Sequence, residues 1–286
     1  MTLNQVYNGS SIEEVIELLH EYGNEAKIIG GGTDIVIALK NEKISPKVLI
    51  DISKIEELKK IYQNGEYITI GGGVTFTQIV ESNLFQGNMH GLYKACKMVG
   101  SPQIRNKGTI GGNIANGSAA ADSVPPLIAL GAIVTLESKE GKREIPLEDY
   151  YYAPIKENEL LTQVKFKRLE KDQILTFSKL GLRKALAISR LTISTFVELD
   201  NGKIQNVRVA SGALGKYPMR EAEVEKYLLH KKLDENTIES AIETLKVSMD
   251  ERLKGRSTLP YKRVAIFSIL RETLEAAIAF ENEVKA

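Results

Sequence analysis

The stretch SPQIRNKGTIGGNIANGSAAADSVPPLIALGA, residues 101–132, decides the fold of this chain. It contains the pair Gly111 and Gly112, a run of small residues, and Asp122 directly before an apolar helix that we expect to begin around Pro125. Paired glycines can expose backbone N–H groups, which bind phosphate oxygens without the help of lysine side chains. The stretch therefore predicts a long, irregular, glycine-rich loop that approaches an anionic ligand.

A second stretch, KIIGGGTDI at residues 27–35, has the same character. Each of its three consecutive glycines loses more backbone entropy on folding than any other residue would. This cost indicates that the main chain must come close to another group and that a Cβ would intrude. Two such loops on separate strands, together with Asp122, could enclose an extended diphosphate. The alternative is that both loops are tight turns and nothing more.

The familiar phosphate-binding motifs do not fit these glycines. The nearest match to a Walker A loop, GNIANGS from Gly112, lacks the required lysine. In the Rossmann pattern G-x-G-x-x-G, Gly30 and Gly32 fit, but Ile35 occupies the third glycine position. Asp51 stands about where a ribose-binding acid would be expected, but we predict that it ends a strand and caps a turn.

Composition excludes several classes of protein. The 286 residues contain 38 Lys and Arg against 37 Asp and Glu, for a net charge of +1, whereas proteins that bind nucleic acids usually carry a basic excess. No apolar run reaches the roughly 18 residues of a membrane span. The N-terminal residues MTLNQVYNGSS lack the basic and apolar regions of a signal peptide. We therefore expect a cytoplasmic protein that binds neither nucleic acid nor membrane.

The chain has one cysteine, Cys96, which excludes an internal disulfide and an iron–sulfur cluster held by four cysteines of this chain. His20, His90 and His230 are scattered and give no zinc-binding pattern, so we expect no metal site. Any redox chemistry would therefore need an organic cofactor. Cys96 lies on the inner face of a predicted helix, where we expect a buried core residue rather than a reactive thiol.

The pattern of elements predicts an α+β protein. Ser11 and Glu14 have the spacing of a capping box at the start of a helix. The strand KIIG, a short helix and the strand VLIDIS then form a βαβ unit, and a hairpin with its turn at Asn64-Gly65 follows. Beyond a linker, three strands are followed by charged helices. We place the domain boundaries at residues 1–170 and 175–286.

The pair GGGTDI and GSPQIRNKGTIGGN, with Asp122 nine residues after the second motif, resembles the FAD-binding (medium) subunit of the molybdenum hydroxylases. This family includes the xanthine, nicotinate and carbon monoxide dehydrogenases. The chain is most similar in appearance to the anaerobic bacterial xanthine and nicotinate dehydrogenase subunits. The likeness covers nearly the whole chain, including FSKLGLRKALAIS and ASGALGKYPMR in the second domain.

The resemblance implies a two-lobed FAD-binding domain, with a small parallel α/β lobe and a larger antiparallel lobe. A C-terminal α+β domain with three antiparallel strands and helices follows. The FAD diphosphate would lie between the two lobes, bound without a covalent link. The residues that match FAD-binding positions of the family are Ile28, Ile29, Gly30, Gly31, Gly32, Thr33, Asp34, Ile35, Gly100, Thr109, Ile110, Gly111, Gly112, Asn113, Asp122, Leu161 and Lys179.

The resemblance also implies a division of labour between chains. A molybdopterin-binding large subunit would oxidise the substrate, and a small subunit with [2Fe-2S] clusters would pass the electrons to FAD on this chain. NAD+ would be the usual acceptor. No residue here need act as acid or base, because the flavin performs the electron transfer. Two alternatives remain: a free-standing FAD-dependent oxidase or reductase with its own substrate site, and a non-enzymatic module that uses the fold for assembly or regulation.

Overall fold

The computed structural model describes residues 3–154, 158–183 and 186–285. Within this part of the chain, the residues form two compact units. The first unit contains the described residues up to Ile79 together with Ser101–Asn116 and Ala132–Lys167. The second contains Val80–Gly100, Gly117–Gly131 and the described residues from Arg168 onward. Two segments from the first 170 residues thus pack with the C-terminal strands, and the predicted boundaries at 1–170 and 175–286 stay a prediction.

The described residues contain strands that belong to three sheets. The strands are β1 (Gln5–Asn8), β2 (Ala26–Ile29), β3 (Val48–Asp51), β4 (Ile61–Asn64), β5 (Tyr67–Gly71), β6 (Ile133–Ser138), β7 (Gly141–Pro146), β8 (Leu160–Lys167), β9 (Gln173–Gly181), β10 (Ser189–Asp200), β11 (Lys203–Gly212) and β12 (Met219–Arg220).

The α-helices are mostly short in the first half of the chain and long at its C-terminal end. They are α1 (Ile12–Tyr22), α2 (Ile35–Lys40), α3 (Phe76–Glu81), α4 (His90–Lys97), α5 (Pro102–Arg105), α6 (Ile110–Asn116), α7 (Val124–Ala129), α8 (Leu147–Tyr150), α9 (Ala222–Leu228), α10 (Glu235–Arg252) and α11 (Leu259–Lys285). Among the described residues, none of these helices is both long enough and apolar enough to cross a membrane.

The first unit holds a small parallel sheet and a larger antiparallel one. The parallel sheet has the order β1-β3-β2, with Ile28 opposite Ile50, and the antiparallel sheet has the order β4-β5-β8-β6-β7. The predicted βαβ unit and the two-lobed fold are confirmed, as is the hairpin turn between β4 and β5. Strand β1 was not predicted; its burial pattern shows no alternation that could mark a strand.

Local signals in the first unit position its elements as the sequence predicts. The Ser11 side chain accepts a hydrogen bond from the N–H of Glu14 and so caps α1, which ends at Gly23 with a positive φ of 46°. Asp51 ends β3, and its carboxylate accepts a hydrogen bond from the N–H of Ser53 at 2.7 Å. The predicted strand-and-turn role of Asp51 is therefore confirmed.

The second unit is an antiparallel sheet of order β12-β11-β10-β9 with helices packed against it. The three predicted strands are present, and the two-residue β12 adds a fourth that the sequence pattern did not indicate. Helix α4 packs closely on β9, since a Cβ on Gly91 would lie 2.7 Å from the Leu175 carbonyl oxygen. Cys96 on the same helix is fully buried, as predicted.

Candidate functional site: a glycine-lined cavity and a buried ion pair

The glycine loop at residues 30–34, which we call the first glycine loop, joins β2 to α2 and presents unused backbone N–H donors. Within the described part of the chain, the N–H groups of residues 31–35 donate no hydrogen bond. Gly32 has a φ of +74°, a conformation that L side chains rarely adopt, and it turns the chain into the helix. Successive N–H groups on a turn form a concave surface of partial positive charge that suits an anion.

Gly31 is required by the packing of the protein itself. A Cβ built on this residue would lie 1.7 Å from the carbonyl oxygen of Lys107. The first loop therefore rests directly on the backbone that precedes α6. The atom that a Cβ at Gly31 would meet is a main-chain oxygen of the same unit. That such a Cβ would also intrude on a bound diphosphate stays a prediction.

The glycine-rich stretch at residues 101–132 was predicted to be irregular, but its paired glycines lie in a short helix, so that prediction is wrong. It forms α5 and α6, and Gly111 and Gly112 lie in the first turn of α6. Their N–H groups are not bare: that of Gly111 donates to the Gly72 carbonyl at 3.0 Å, and that of Gly112 donates to the Thr109 hydroxyl at 3.1 Å. A Cβ on Gly111 would lie 2.6 Å from the same Gly72 oxygen. This glycine therefore lets two backbone segments meet.

The first glycine loop and the stretch around α6 line a cavity of about 410 Å³ inside the first unit. This volume is in the range of small-molecule sites. The cavity lies between residues of the parallel lobe and residues of the antiparallel lobe, as the sequence led us to expect for the dinucleotide. Its wall includes most of the predicted cofactor-binding residues of this unit: Ile28, Gly30, Gly31, Gly32, Thr33, Asp34, Ile35, Thr109, Gly111, Gly112, Asn113 and Leu161.

Two predicted residues of the first unit are not part of this wall. Ile29 ends β2, and its carbonyl oxygen accepts a hydrogen bond from the N–H of Ile52. Ile110 is fully buried, and its N–H donates to the Val74 carbonyl at 2.9 Å. Both residues therefore help to hold the loops in place through their backbone hydrogen bonds. Their assignment as direct cofactor contacts stays a prediction.

A hydrogen bond links the two stretches beside the cavity. The Asn116 amide at the end of α6 donates to the Asp34 carboxylate at 3.3 Å, and the Thr33 hydroxyl donates to the other Asp34 oxygen at 3.2 Å. Asp34 is the N-cap residue of α2 by position, but its side chain makes no capping bond. Its carboxylate instead joins the first loop to α6.

Sequence reasoning missed several residues of the cavity wall. The signal for one of them was present: Gly72 is part of a third glycine-rich run, GGG at residues 71–73. A Cβ there would lie 2.3 Å from the Leu161 carbonyl oxygen. Four others lie within the two quoted stretches but were not singled out: Lys27, Gly108, Ala115 and Asn116. The rest have no local motif, because the fold brings them together from distant positions: Ala38, Ile44, Ile52, Phe76, Leu136, Tyr150, Glu159 and Leu160.

The remaining predicted residues, Gly100, Asp122 and Lys179, belong to the second unit. There the Lys179 ammonium lies 2.5 Å from one Asp122 carboxylate oxygen and donates to the Met98 carbonyl at 3.1 Å. The Ser189 hydroxyl donates to the other oxygen of Asp122. Side chains of Asp122 and Lys179 are 7% and 5% exposed. We call Asp122, Lys179 and Ser189 the Asp122 cluster.

Burial controls the electrostatics of this cluster. It raises the pKa of Asp122 above the usual value for an aspartate, against the opposing effects of the Lys179 charge and the hydrogen bonds from Lys179 and Ser189. Burial also raises the pKa of the Cys96 thiol well above its ordinary value, which keeps the thiol protonated and unreactive. Asp122 is not a helix N-cap, because α7 begins after Ser123 and no side chain caps it.

The donors in the cavity fit one class of ligand. Unused N–H groups on a bare loop can bind a diphosphate, and the apolar walls can cover an organic ring. In the described residues, no group of three or more His, Cys, Asp or Glu side chains could hold a metal ion. The first unit thus has the features of a nucleotide-type cofactor site.

Comparison with known families identifies the class of protein. Residues 2–167 match the FAD binding domain in molybdopterin dehydrogenase, and residues 176–277 match the CO dehydrogenase flavoprotein C-terminal domain. This chain therefore belongs to the FAD-binding subunit family of the molybdopterin dehydrogenases, which are oxidoreductases. The resemblance stated from the glycine motifs is confirmed.

Individual relatives agree with this family. The chain is 34% identical to the nicotinate dehydrogenase FAD-subunit of Eubacterium barkeri, with 92% of each chain covered. It is 28% identical to the xanthine dehydrogenase FAD-binding subunit of Escherichia coli O157:H7, with 96% of this chain and 95% of the relative covered. A solved structure of carbon monoxide dehydrogenase from Hydrogenophaga pseudoflava matches with a TM-score of 0.91 at 26% identity, over 97% of this chain and 98% of the other.

Proposed function

We propose that this chain is the FAD-carrying electron-transfer subunit of a molybdenum hydroxylase. The observation that carries the proposal is the cavity, whose loop offers five consecutive unused N–H groups in a chain that matches the family along nearly its whole length. FAD, when bound, supplies the electron-accepting and electron-donating chemistry. The residues of this chain bind and orient it.

The N–H groups of the first loop are proposed to hold the diphosphate without a covalent bond. Thr33 and Asp34 are hydrogen-bonding partners rather than catalysts, and we assign no catalytic residue. Thr109, Gly112, Asn113 and Leu161 complete the wall in the first unit. We keep Gly100, Asp122 and Lys179 as proposed cofactor-binding residues on the basis of their family motifs.

Two partner subunits follow from the proposal. The chain has one cysteine, and a cluster of the usual type takes four, so the electrons must arrive from clusters on another chain. We infer a small [2Fe-2S] subunit and a molybdopterin-binding large subunit, with NAD+ as the acceptor and the cytoplasm as the location. The names of the relatives support this, because each describes an FAD subunit rather than a whole enzyme.

The test is to compare the purified chain with the assembled complex. We expect the chain alone to bind FAD and to be yellow, yet to reduce no NAD+ when an N-heterocyclic substrate such as a purine is added. Adding the two partner subunits should restore substrate-dependent NAD+ reduction. A matched assay with NADH and an artificial dye monitors the flavin on its own.

Each outcome of this test distinguishes one alternative. Substrate turnover by the lone chain would mean that it has its own substrate site, and a free-standing flavoenzyme would replace the proposed subunit. A colourless protein that takes up no FAD would favour a non-enzymatic module. An active complex that reduces another acceptor but not NAD+ would correct only the acceptor.

A further inference from the structure

A buried lysine of the second unit has no acidic partner among the described residues. Lys262 lies at the start of α11, and it is only 9% exposed. Its ammonium donates a hydrogen bond to the Ala213 carbonyl, and no described carboxylate forms an ion pair with it. Lysines are almost never buried to this extent unless they are paired. A neutral carbonyl oxygen does not balance the charge, so the position of Lys262 calls for an explanation.

Two arginines lie close to this ammonium. Arg256 belongs to the linker between α10 and α11, and Arg190 is an exposed residue at the irregular step of β10 between the paired residues Ser189 and Leu191. Burial, and then the charges of Arg256 and Arg190, lower the pKa of Lys262 below the usual value for a lysine. We call these three basic residues the Lys262 cluster.

The sequence around the start of α11 contains no acid that could neutralise this cluster. Residues 253–271 include five basic residues and no acidic one. Two of the five, Arg263 and Arg271, pair with carboxylates on α10. Arg256 and Lys262 form no ion pair with any residue that the structure describes. The missing counter-charge is therefore specific to the residues of the cluster.

Helix α11 adds to the positive charge at this place. The N-terminus of a helix carries a partial positive charge, which favours acids and disfavours cations. The first turn of this 27-residue helix contains no acidic residue, and Lys262 stands at that end. The chain therefore collects three cations and a helix N-terminus without compensation. Local violations of this kind are expected at functional sites, and this one indicates an anionic ligand.

The charge and the position of the cluster favour a diphosphate. One carboxylate would leave most of the positive charge unbalanced, whereas a diphosphate carries two negative charges and several acceptor oxygens, and Arg and Lys are its usual ligands. Arg190 directly follows Ser189, a member of the Asp122 cluster that we assign to the cofactor. The diphosphate of FAD is already proposed to bind the first glycine loop. The anion at the Lys262 cluster must then belong to a second molecule.

We propose that the Lys262 cluster binds the diphosphate of the nicotinamide dinucleotide that exchanges electrons with the flavin. The three cations bind this substrate and take no part in the chemistry. The inference rests on the proposed function, since it requires both FAD and a nicotinamide acceptor. It assigns the acceptor to the second unit, and it requires the affinity for the dinucleotide to fall as the salt concentration rises.

The test measures the binding of ADP-ribose to the full chain with FAD bound, by isothermal titration calorimetry. ADP-ribose carries the diphosphate of the dinucleotide but no nicotinamide, so its binding does not depend on electron transfer. Lys262→Met and Arg190→Gln should each weaken binding about tenfold, because each removes a charged hydrogen-bond donor. With NADH and an artificial dye, the same variants should raise the KM for NADH by a similar factor and leave kcat unchanged.

A matched control and a second variant keep the test decisive. Lys254→Gln removes an exposed lysine of the same linker whose charge does not act on Lys262, so it should bind ADP-ribose as the wild type does. Arg190→Gln changes an exposed side chain and carries the test even if Lys262→Met fails to fold. Unchanged ADP-ribose affinity in Arg190→Gln and in every folded Lys262 variant would make the cluster structural and overturn the assignment.

The remaining outcomes separate this inference from the proposed function. Binding of inorganic pyrophosphate but not of ADP-ribose would show a site for free phosphates and overturn the dinucleotide assignment. Full FAD occupancy in a wild-type chain that binds no ADP-ribose would overturn this inference alone. A wild-type chain that takes up no FAD would contradict the proposed function and this inference with it.

Discussion

The first glycine loop and the Asp122 cluster place polar groups in largely apolar surroundings by different means. The loop uses main chain: its N–H groups are unused, and Gly31 lets it rest on the Lys107 carbonyl. The cluster uses side chains, with the opposite charges of Asp122 and Lys179 buried together and a hydroxyl on the remaining oxygen. A backbone site is sensitive to shape, whereas a side-chain site is sensitive to charge.

The largest effect should come from breaking the charge pair of the cluster. Lys179→Met leaves the Asp122 carboxylate buried beside Ser189 without its counter-charge, which costs about 3–5 kcal/mol of unfolding free energy in comparable pairs. We expect denaturant unfolding to show this loss and a fluorescence titration to show weaker FAD binding. The matched double variant Asp122→Asn with Lys179→Met should recover part of the stability. A loss of stability with unchanged FAD affinity would make the cluster purely structural.

The shape of the backbone site is tested at Gly31. In Gly31→Ala, the new Cβ would meet the Lys107 carbonyl oxygen, so the loop must move at a cost of about 1–3 kcal/mol, as other overpacked sites do. We expect a lower melting temperature and a marked loss of FAD affinity. Gly112→Ala is the control, because its Cβ would meet only the Thr109 hydroxyl, at 2.9 Å, and that side chain can rotate. Equal effects of the two changes would contradict the close-contact explanation.

A smaller effect is expected at the hydrogen bond that joins the two stretches beside the cavity. Asn116→Ala removes the donor to Asp34, an exposed bond that should contribute less than about 1 kcal/mol to stability. The first loop would then be held less firmly to α6, and stopped-flow dilution should show faster FAD release. Asn116→Asp should release FAD faster still, because it places a second carboxylate beside Asp34. Unchanged release in both variants would show that this bond does not restrain the loop.

The smallest expected effect is the pH dependence of the unfolding free energy that arises from Asp122 in the cluster. Because the pKa of Asp122 is raised in the folded protein, the folded state keeps this proton at a pH where the unfolded chain has lost it. The contribution of this group to stability is therefore present below the unfolded pKa of about 4 and is lost as the pH rises through the folded pKa. Unfolding free energies of the wild type and of Asp122→Asn, measured from pH 3.5 upward, should diverge in that direction. Parallel profiles would show that Asp122 does not titrate in this window.

Much of the local structure could be predicted from the sequence because short-range rules determine it. The capping pair Ser11 and Glu14 and the strand-ending Asp51 act within a few residues of themselves, and both are confirmed. The predicted hairpin is present too, but its two loop residues are Gly65 and Glu66, one position after the predicted Asn64-Gly65, because Asn64 still pairs with Tyr67. The glycine motifs also indicated the family correctly. The helical state of residues 110–116 was missed because two glycines in a row disfavour a helix by propensity, whereas here bonds to Val74 and Gly72 anchor its start.

The sequence by itself determined that the chain is an α+β protein with one bare glycine loop at residues 30–34, one buried cysteine and too few cysteines for an iron–sulfur cluster held by four thiolates. Only the tertiary structure decided why Gly31 and Gly111 are glycines, since each faces a carbonyl oxygen far away in the sequence. It also brought Tyr150 and Glu159 into one wall and paired Asp122 with Lys179, 57 positions apart. The physical reason is that burial and close contact arise between segments that are distant in sequence. A short stretch of sequence does not indicate which distant segment it will contact in the folded chain.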